Sequence, residues 1–418
     1  MAKRLLTIII TLIILFSVGC NREDNNGKIH DDKIDNGNIA EEGNESIDDE
    51  EEIDEIQLIV DSMTLDEKIG QLFIFGIDGT EIDEHTISLI ETYKVGGFIF
   101  FGSNLDTVYQ TVELLNSLKD RNKNNILPLF LALDEEGGKV SRLSKFFSNL
   151  PDANTIGSIN QEDISYKFGK ILAGRLKEVG FNMDFAPVLD INSNPENPVI
   201  GNRAFGSTKE VVIDNGIKVM EGINSGNIIS IVKHFPGHGD TLVDSHVDLP
   251  VIEKSMEELK GLELVPFERA IEEDVDGIMV AHILFSELDK DFPATLSSNI
   301  ITNLLRNELS YDGVIISDDM TMGAIMENYS VGEAAVRFLK AGGDIVLVCH
   351  GYENQLNALN KVKEEILSET ISLKELNEKV YRIIKLKMKY GLSDTLIEEY
   401  DVEAINKQAE EFLDSINR

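Results

Sequence analysis

"IISIVKH" at residues 228–234 is an apolar run that ends abruptly in two basic side chains. The loop behind it, "KHFPGHGDTLVDSH" (233–246), holds three of the chain's seven histidines. A near-continuous hydrophobic run, with little polar alternation, reads as a strand covered on both faces, as in a parallel sheet. Working outward, the pattern recurs in "GQLFIFG" (70–76), "VGGFIFF" (95–101), "PLFLALD" (128–134), "FNMDFAPVLD" (181–190), "GIMVAHI" (277–283), "GVIISDD" (313–319) and "DIVLVCH" (344–350). Amphipathic stretches separate the runs, among them "DTVYQTVELLNSLKDRN" (106–122), "SMEELKGLELVPFERAIEED" (255–274) and "NQLNALNKVKEEIL" (354–367), each expected to form a helix. Eight β-then-α units over residues 57–392 predict an α/β fold, a (β/α)8 TIM-type barrel. A doubly wound open sheet shares the alternation, but no GxGxxG follows the first run and eight is the barrel count.

Outside the barrel the chain changes character. "MAKRLLTIIITLIILFSVGC" has Lys3 and Arg4, then an uncharged run from Leu5 to Gly19, then Cys20. That run is shorter than the roughly 20 residues of a comfortable membrane span and reads as a secretory signal over residues 1–20. Gly19 before Cys20 is similar to a bacterial lipoprotein processing site, although Ser17 stands where such sites usually carry Leu. The resemblance implies lipidation of Cys20 and an extracytoplasmic protein that meets the membrane only through this anchor. An uncleaved short anchor is the alternative. Residues 21–56 carry 15 acidic and 3 basic side chains without hydrophobic periodicity, and are expected to form an acidic, disordered tether. Residues 393–418 are expected to add a helical extension and no second domain.

The formal net charge of −37 excludes a basic surface for nucleic acid. Cys349, the only other cysteine, lies in an apolar run and is expected to be a buried thiol, with no disulfide framework.

In a barrel, chemistry sits at the carboxyl ends of the strands. The unusual polar residues fall there: Asp134 with "DEEGGKVSR", Asp190 followed by "NPENPVIGNRAFG", Lys233 and His234, His282, and Ser317, Asp318 and Asp319. A single acid there can cap the next helix or pair with a cation, and His282 can equally line the mouth or pack against backbone. The ensemble suits a polyhydroxylated ligand and a carboxylate nucleophile.

The motifs "KHFPGHGDT" (233–241), "DEEGGKVSR" (134–142), "FAPVLDINSNPENPVIGNRAFG" (185–206) and "SDDMTMGAI" (317–325) together resemble glycoside hydrolase family 3, in its NagZ-type β-N-acetylglucosaminidase branch. The likeness runs from "MTLDEKIGQLF" (63–73) to the eighth unit. Many relatives carry a second α/β domain after the barrel, and a single catalytic domain without it is expected here. The resemblance implies retention of configuration through a covalent glycosyl-enzyme intermediate. Asp318 would be the nucleophile, with Asp319 as its rival, since successive strand residues point opposite ways. His246 with Asp244, in "DSH", would be the proton donor on a mobile loop; a carboxylate beside an imidazole favours the protonated ring. Asp134, Arg142, Arg203, Lys233 and His234 would hold the sugar, while His238 and Asp240 shape their loop.

No metal and no cofactor is implied, and a monomer is expected. The substrate expected outside the membrane is a small glycan, terminal N-acetylglucosamine on wall fragments such as GlcNAc-MurNAc. A family 3 β-glucosidase or a β-N-acetylglucosaminide phosphorylase on the same barrel is the alternative. A metallohydrolase using His234, His238 and His246, and a wall-binding protein with an inactive barrel, are the more distant rivals.

Overall fold

A computed structural model describes residues 54–242, 244–245 and 248–417. Expectations placed on residues 1–53, Cys20 among them, and on His246 lie outside the described residues.

Each apolar run contributes one strand to a closed, all-parallel barrel: β1 (Phe73–Gly76), β2 (Gly97–Phe100), β3 (Phe130–Leu133), β4 (Met183–Asp184), β5 (Ile229–Phe235), β6 (Gly277–Val280), β7 (Val314–Asp319) and β8 (Ile345–Val348). Closure is direct, with Phe73 of β1 in register with Val346 of β8. The strand residues are almost all buried because side chains fill the barrel on one face and helices cover the other, which is why the runs carry little polar alternation. Among the described residues no helix is long and apolar enough to cross a membrane.

Three boundaries differ from expectation. The run at 181–190 pairs as a strand only over Met183–Asp184, because Pro187 has no N–H to give to a ladder. The chain nevertheless follows β5 onward, through Leu189 N to Lys233 O at 2.7 Å and Lys233 N to Pro187 O at 3.2 Å, and so brings Asp190 to the mouth. The single helix expected over 255–274 is two, Met256–Gly261 and Val265–Glu272. Pro266 tolerates only the first turn of a helix, so a new helix starts there, while Ser255 and Glu258 close a reciprocal cap on the first. The body also begins earlier than residue 57: a helix spans Glu55–Ser62, and Asp54 caps it by accepting from Gln57 N at 3.0 Å.

At the other end, the helix Val402–Ile416 forms as expected and lies on the helix Glu162–Val179, with Phe412 and Phe168 ring centroids 6.2 Å apart. That second helix reaches into the site through Arg175.

Candidate active site

β3 ends at Leu133, and the next three residues are all acidic. Their side chains part company. Asp134 accepts from Lys233 Nζ at 2.7 Å and Arg142 Nη2 at 3.0 Å. Glu136, two residues on, accepts from Lys233 Nζ at 2.7 Å and from Arg203 at 2.8 Å (Nε) and 2.7 Å (Nη2). Glu135 turns the other way, into the wall of the fold, and accepts from the fully buried Arg175 at 3.1 Å and from Ser141 Oγ at 2.7 Å. Burial alone would raise the carboxyls of Asp134 and Glu136. The cations outweigh it: Lys233 and Arg142 hold Asp134 well below the usual carboxylate range, and Arg203 with Lys233 brings Glu136 down to about 2. Beneath them Asp184, at the end of β4, accepts from Glu135 N at 2.9 Å, and burial pushes its carboxyl well up.

β5 supplies the centre of the network. Lys233 is held between the two carboxylates, and His234 Nδ1 lies 2.6 Å from Asp190 Oδ2. A carboxylate there fixes the proton on Nδ1, and Nε2 lies 3.5 Å from Arg203 Nη2. Asp190 Oδ1 also takes the His238 N–H at 2.7 Å, tying the end of the fourth unit to the loop after β5. Gly239 allows that approach: a Cβ there would fall 1.6 Å from Ile191 O. His238 shapes the loop, as expected, with Nδ1 2.9 Å from Thr241 Oγ1 and Nε2 3.2 Å from Ser245 Oγ. Burial and the neighbouring His234 bring it down to about 4, so its ring is neutral. Asp240 pairs with Lys254 at 2.8 Å.

Asp318 and Asp319 close β7. Alternation does not separate them, because the β7–β8 pairing slips: Ile316 faces Ile345 and Asp319 faces Leu347, so an extra residue sits on β7 and both acids border the mouth. Their partners separate them. Asp319 is consumed by structure, accepting from Thr321 N and Cys349 N, each at 2.9 Å, and from Thr321 Oγ1 at 2.6 Å. Asp318 takes its neighbour's N–H at 2.8 Å and otherwise faces the cavity. Burial would raise it, but His282, His234 and Lys233 outweigh that and keep it ionised.

Asp134, Arg142, Arg203, Lys233, His234 and Asp318 thus line one cavity of about 260 Å³ at the carboxyl ends of the strands. Asp244 is half-buried beside it, and its neighbour Ser245 is buried in the lining, with Ser245 O accepting from Ala324 N at 3.2 Å. His246 is outside the described residues. His282 does not line the cavity; it is fully buried beneath it. Cys349 is a buried thiol at the cavity edge, pushed well up by burial. A larger cleft of about 750 Å³ lies elsewhere, between Asp289 and Glu365, but none of the site residues borders it.

The match to the sequence pattern described as "Glycosyl hydrolase family 3 N terminal domain" covers residues 64–386, from the capped helix before β1 into the second helix after β8, Leu373–Lys389. The chain belongs to glycoside hydrolase family 3. It is 33% identical over 334 residues to the beta-hexosaminidase A of Pseudoalteromonas piscicida, a match covering 74% of this chain and 56% of that relative, so this chain spans little more than half of that protein's length. It is also 33% identical over 303 residues to the beta-hexosaminidase of Nitrosomonas eutropha, covering 71% of this chain and 85% of the relative. Among solved structures, a glycoside hydrolase family 3 beta-N-acetylglucosaminidase from Paenibacillus sp. superposes with a TM-score of 0.80 at 38% identity, over 84% of this chain and 68% of the other.

The sequence reading missed Glu136. A signal was present, since a residue two places after Asp134 in extended chain shares its face. What stayed hidden was its partner, Arg203, 67 positions away.

Proposed function

We propose that this family 3 glycoside hydrolase is a retaining exo-β-N-acetylglucosaminidase that releases terminal, non-reducing GlcNAc from peptidoglycan fragments such as GlcNAc-MurNAc. The observation that carries the reading is an ionised Asp318 facing a cavity whose lining also carries Asp134, Arg142, Arg203, Lys233 and His234, set among apolar side chains such as Phe101 and Phe185. The names of the relatives support the acetamido sugar, and the space suits one pyranose ring.

Asp318 attacks the anomeric carbon as the bond to the leaving oxygen breaks, and that oxygen takes a proton from His246, which Asp244 orients. In the second half the neutral imidazole takes a proton from water, the oxygen of that water attacks the same carbon, and Asp318 leaves as a carboxylate. Asp134 accepts from sugar hydroxyls while Arg142, Arg203, Lys233 and His234 fix the ring. Because Glu136 clamps Arg203 and shares Lys233 with Asp134, these groups need little reorganisation when substrate arrives. The wall-fragment substrate and an anchor at Cys20 rest on the signal-like segment Lys3–Cys20.

The test is an assay of the full-length chain on 4-nitrophenyl N-acetyl-β-glucosaminide beside the matching glucoside, in phosphate and in a non-phosphate buffer, with Asp318→Ala as the control. Selective cleavage of the acetamido sugar, independent of phosphate and lowered on the order of a thousandfold or more in the variant, is expected. Preference for the glucoside would make it a β-glucosidase, a phosphate requirement would make it a phosphorylase, and unchanged activity in Asp318→Ala would remove the nucleophile.

A further inference from the structure

The loop after β5 leaves the strand at Phe235 and returns to regular structure at the short strand Val251–Ile252. Its two ends rest on different units of the barrel. The first end lies on the chain after β4, where Asn197 Nδ2 donates to His238 O at 2.8 Å and Asn194 N to Gly239 O at 3.3 Å. The second end lies on the chain after β6: Val251–Ile252 pairs with Leu284–Phe285, and Leu284 N donates to Pro250 O at 2.9 Å. Asp244, half-buried, stands between these ends, so its place depends on how they are held relative to one another.

One side chain joins them. Lys254, just before the cap of the helix Met256–Gly261, donates to Asp240 Oδ2 at 2.8 Å in the first end of the loop and to Glu263 Oε1 behind it. Glu263 is buried, and Lys254 is its one hydrogen-bond partner among the described residues. Glu263 also meets the loop directly: Gly237 is held at a φ of +134°, and a Cβ there would fall 2.8 Å from Glu263 Cβ. The ammonium thus sits between a buried carboxylate that fixes it and a partly exposed carboxylate that it fixes in turn. Burial would lower Lys254, but its hydrogen bonds to Asp240 and Glu263 outweigh that and hold it above the ordinary lysine range. An ion pair with one side open to water adds little to stability. Its geometric effect is larger, because it ties the stretch 241–253 together at its base. None of Lys254, Asp240 and Glu263 lines the cavity, so an effect of Lys254 on catalysis runs through the loop.

We propose that Lys254 is a positioning residue: bridging Asp240 and Glu263, it fixes the base of the loop after β5 and thereby the place of Asp244 beside the cavity. The catalytic consequence rests on the reading of Asp244 and its loop as the source of the leaving-group proton. A slack base leaves Asp318 and the sugar-binding side chains where they are and weakens protonation alone. The loss should therefore grow with the basicity of the leaving oxygen.

The experiment measures kcat/KM of the full-length chain on 4-nitrophenyl, phenyl and 4-methoxyphenyl N-acetyl-β-glucosaminides. These leaving groups are alike in shape and need increasing help from an acid. Lys254→Met is expected to lower the phenyl rate relative to the 4-nitrophenyl rate by roughly tenfold, and Asp240→Asn to do the same. Lys254→Arg, which keeps a cation between the two carboxylates, should bring the ratio back. An equal loss on all three glycosides, or no loss, overturns the proposal, since a weakened fold or a lost sugar contact takes no account of the leaving group. If Lys254→Met does not fold, because Glu263 is left buried without its cation, Asp240→Asn decides alone: it keeps that pair and cuts only the tie to the loop. Asp244→Ala in the same series separates the two readings. An uneven loss there beside an even one in Lys254→Met overturns the role of Lys254 and leaves the proton-donor reading standing. An even loss in Asp244→Ala overturns the proton-donor reading, and the catalytic role of Lys254 with it.

Discussion

Glu136 shows how one buried carboxylate can fix two cations at the edge of a cavity. It accepts two hydrogen bonds from Arg203 and one from Lys233, and its carboxyl is brought down to about 2 from the ordinary 4.5. A group depressed in this way contributes stability that is fully present above the unfolded value and is lost as pH falls through the folded one. Glu136→Gln should therefore lower stability at pH 7 and flatten its loss between pH 5 and pH 2, as read by urea unfolding at stepped pH. An unchanged pH profile would show that Arg203 and Lys233 find other counter-charges. At this scale the sequence was legible wherever a polar side chain ended an apolar run, as with Asp134, Lys233, His234 and Asp318. It was silent where one charge answers another from a distant unit, as with Glu136 and Arg203 or Glu135 and Arg175. Between Asp318 and Asp319 the expected alternation gives no answer, because the pairing slip removes it; the two acids differ instead in their hydrogen bonds, of which Asp319 has the fuller set.

Two elements position these side chains. The loop after β5 is pulled onto the chain near Asp190 at Gly239, where no side chain has room. Gly239→Ala should push the loop away, displacing His238 and Ser245 by a fraction of an ångström or more. A loss of roughly a hundredfold in kcat/KM with an unaltered circular dichroism spectrum is expected, since misplacement on that scale disrupts alignment at the reacting carbon. The helix Glu162–Val179 holds the loop after β3 by the pair Arg175–Glu135, both side chains fully out of water. Arg175→Met leaves a buried carboxylate without its cation and should cost about 3–5 kcal/mol in denaturant unfolding; a loss under 1 kcal/mol would mean that Glu135 is protonated or rehydrated in the variant. Element existence was legible from the apolar runs, all eight of which became strands. Element limits were not, because proline rules act at single positions: Pro187 shortens β4 and Pro266 starts a second helix.

For the whole molecule, the barrel followed from counting units, and the net charge of −37 sets the field in which it works. The wall fragments of the proposed function, bearing a MurNAc carboxylate or a peptide stem, are anionic and would approach against that field. Raising ionic strength from about 0.01 M to about 0.15 M shortens the screening length from about 30 Å to about 8 Å. The kcat/KM for anionic fragments should then rise a few-fold, with no change for the neutral 4-nitrophenyl glycoside. A parallel change in both would point to an effect on the enzyme itself.

The cavity of about 260 Å³ has one more consequence. Under the proposed exo action, a space of the size of one pyranose ring makes the count of glycan tips, and not the mass of glycan, the concentration that the enzyme experiences. On long strands it would idle in the presence of abundant polymer. Its throughput would be set by whichever activity cuts those strands internally, each cut creating one new tip for it to trim.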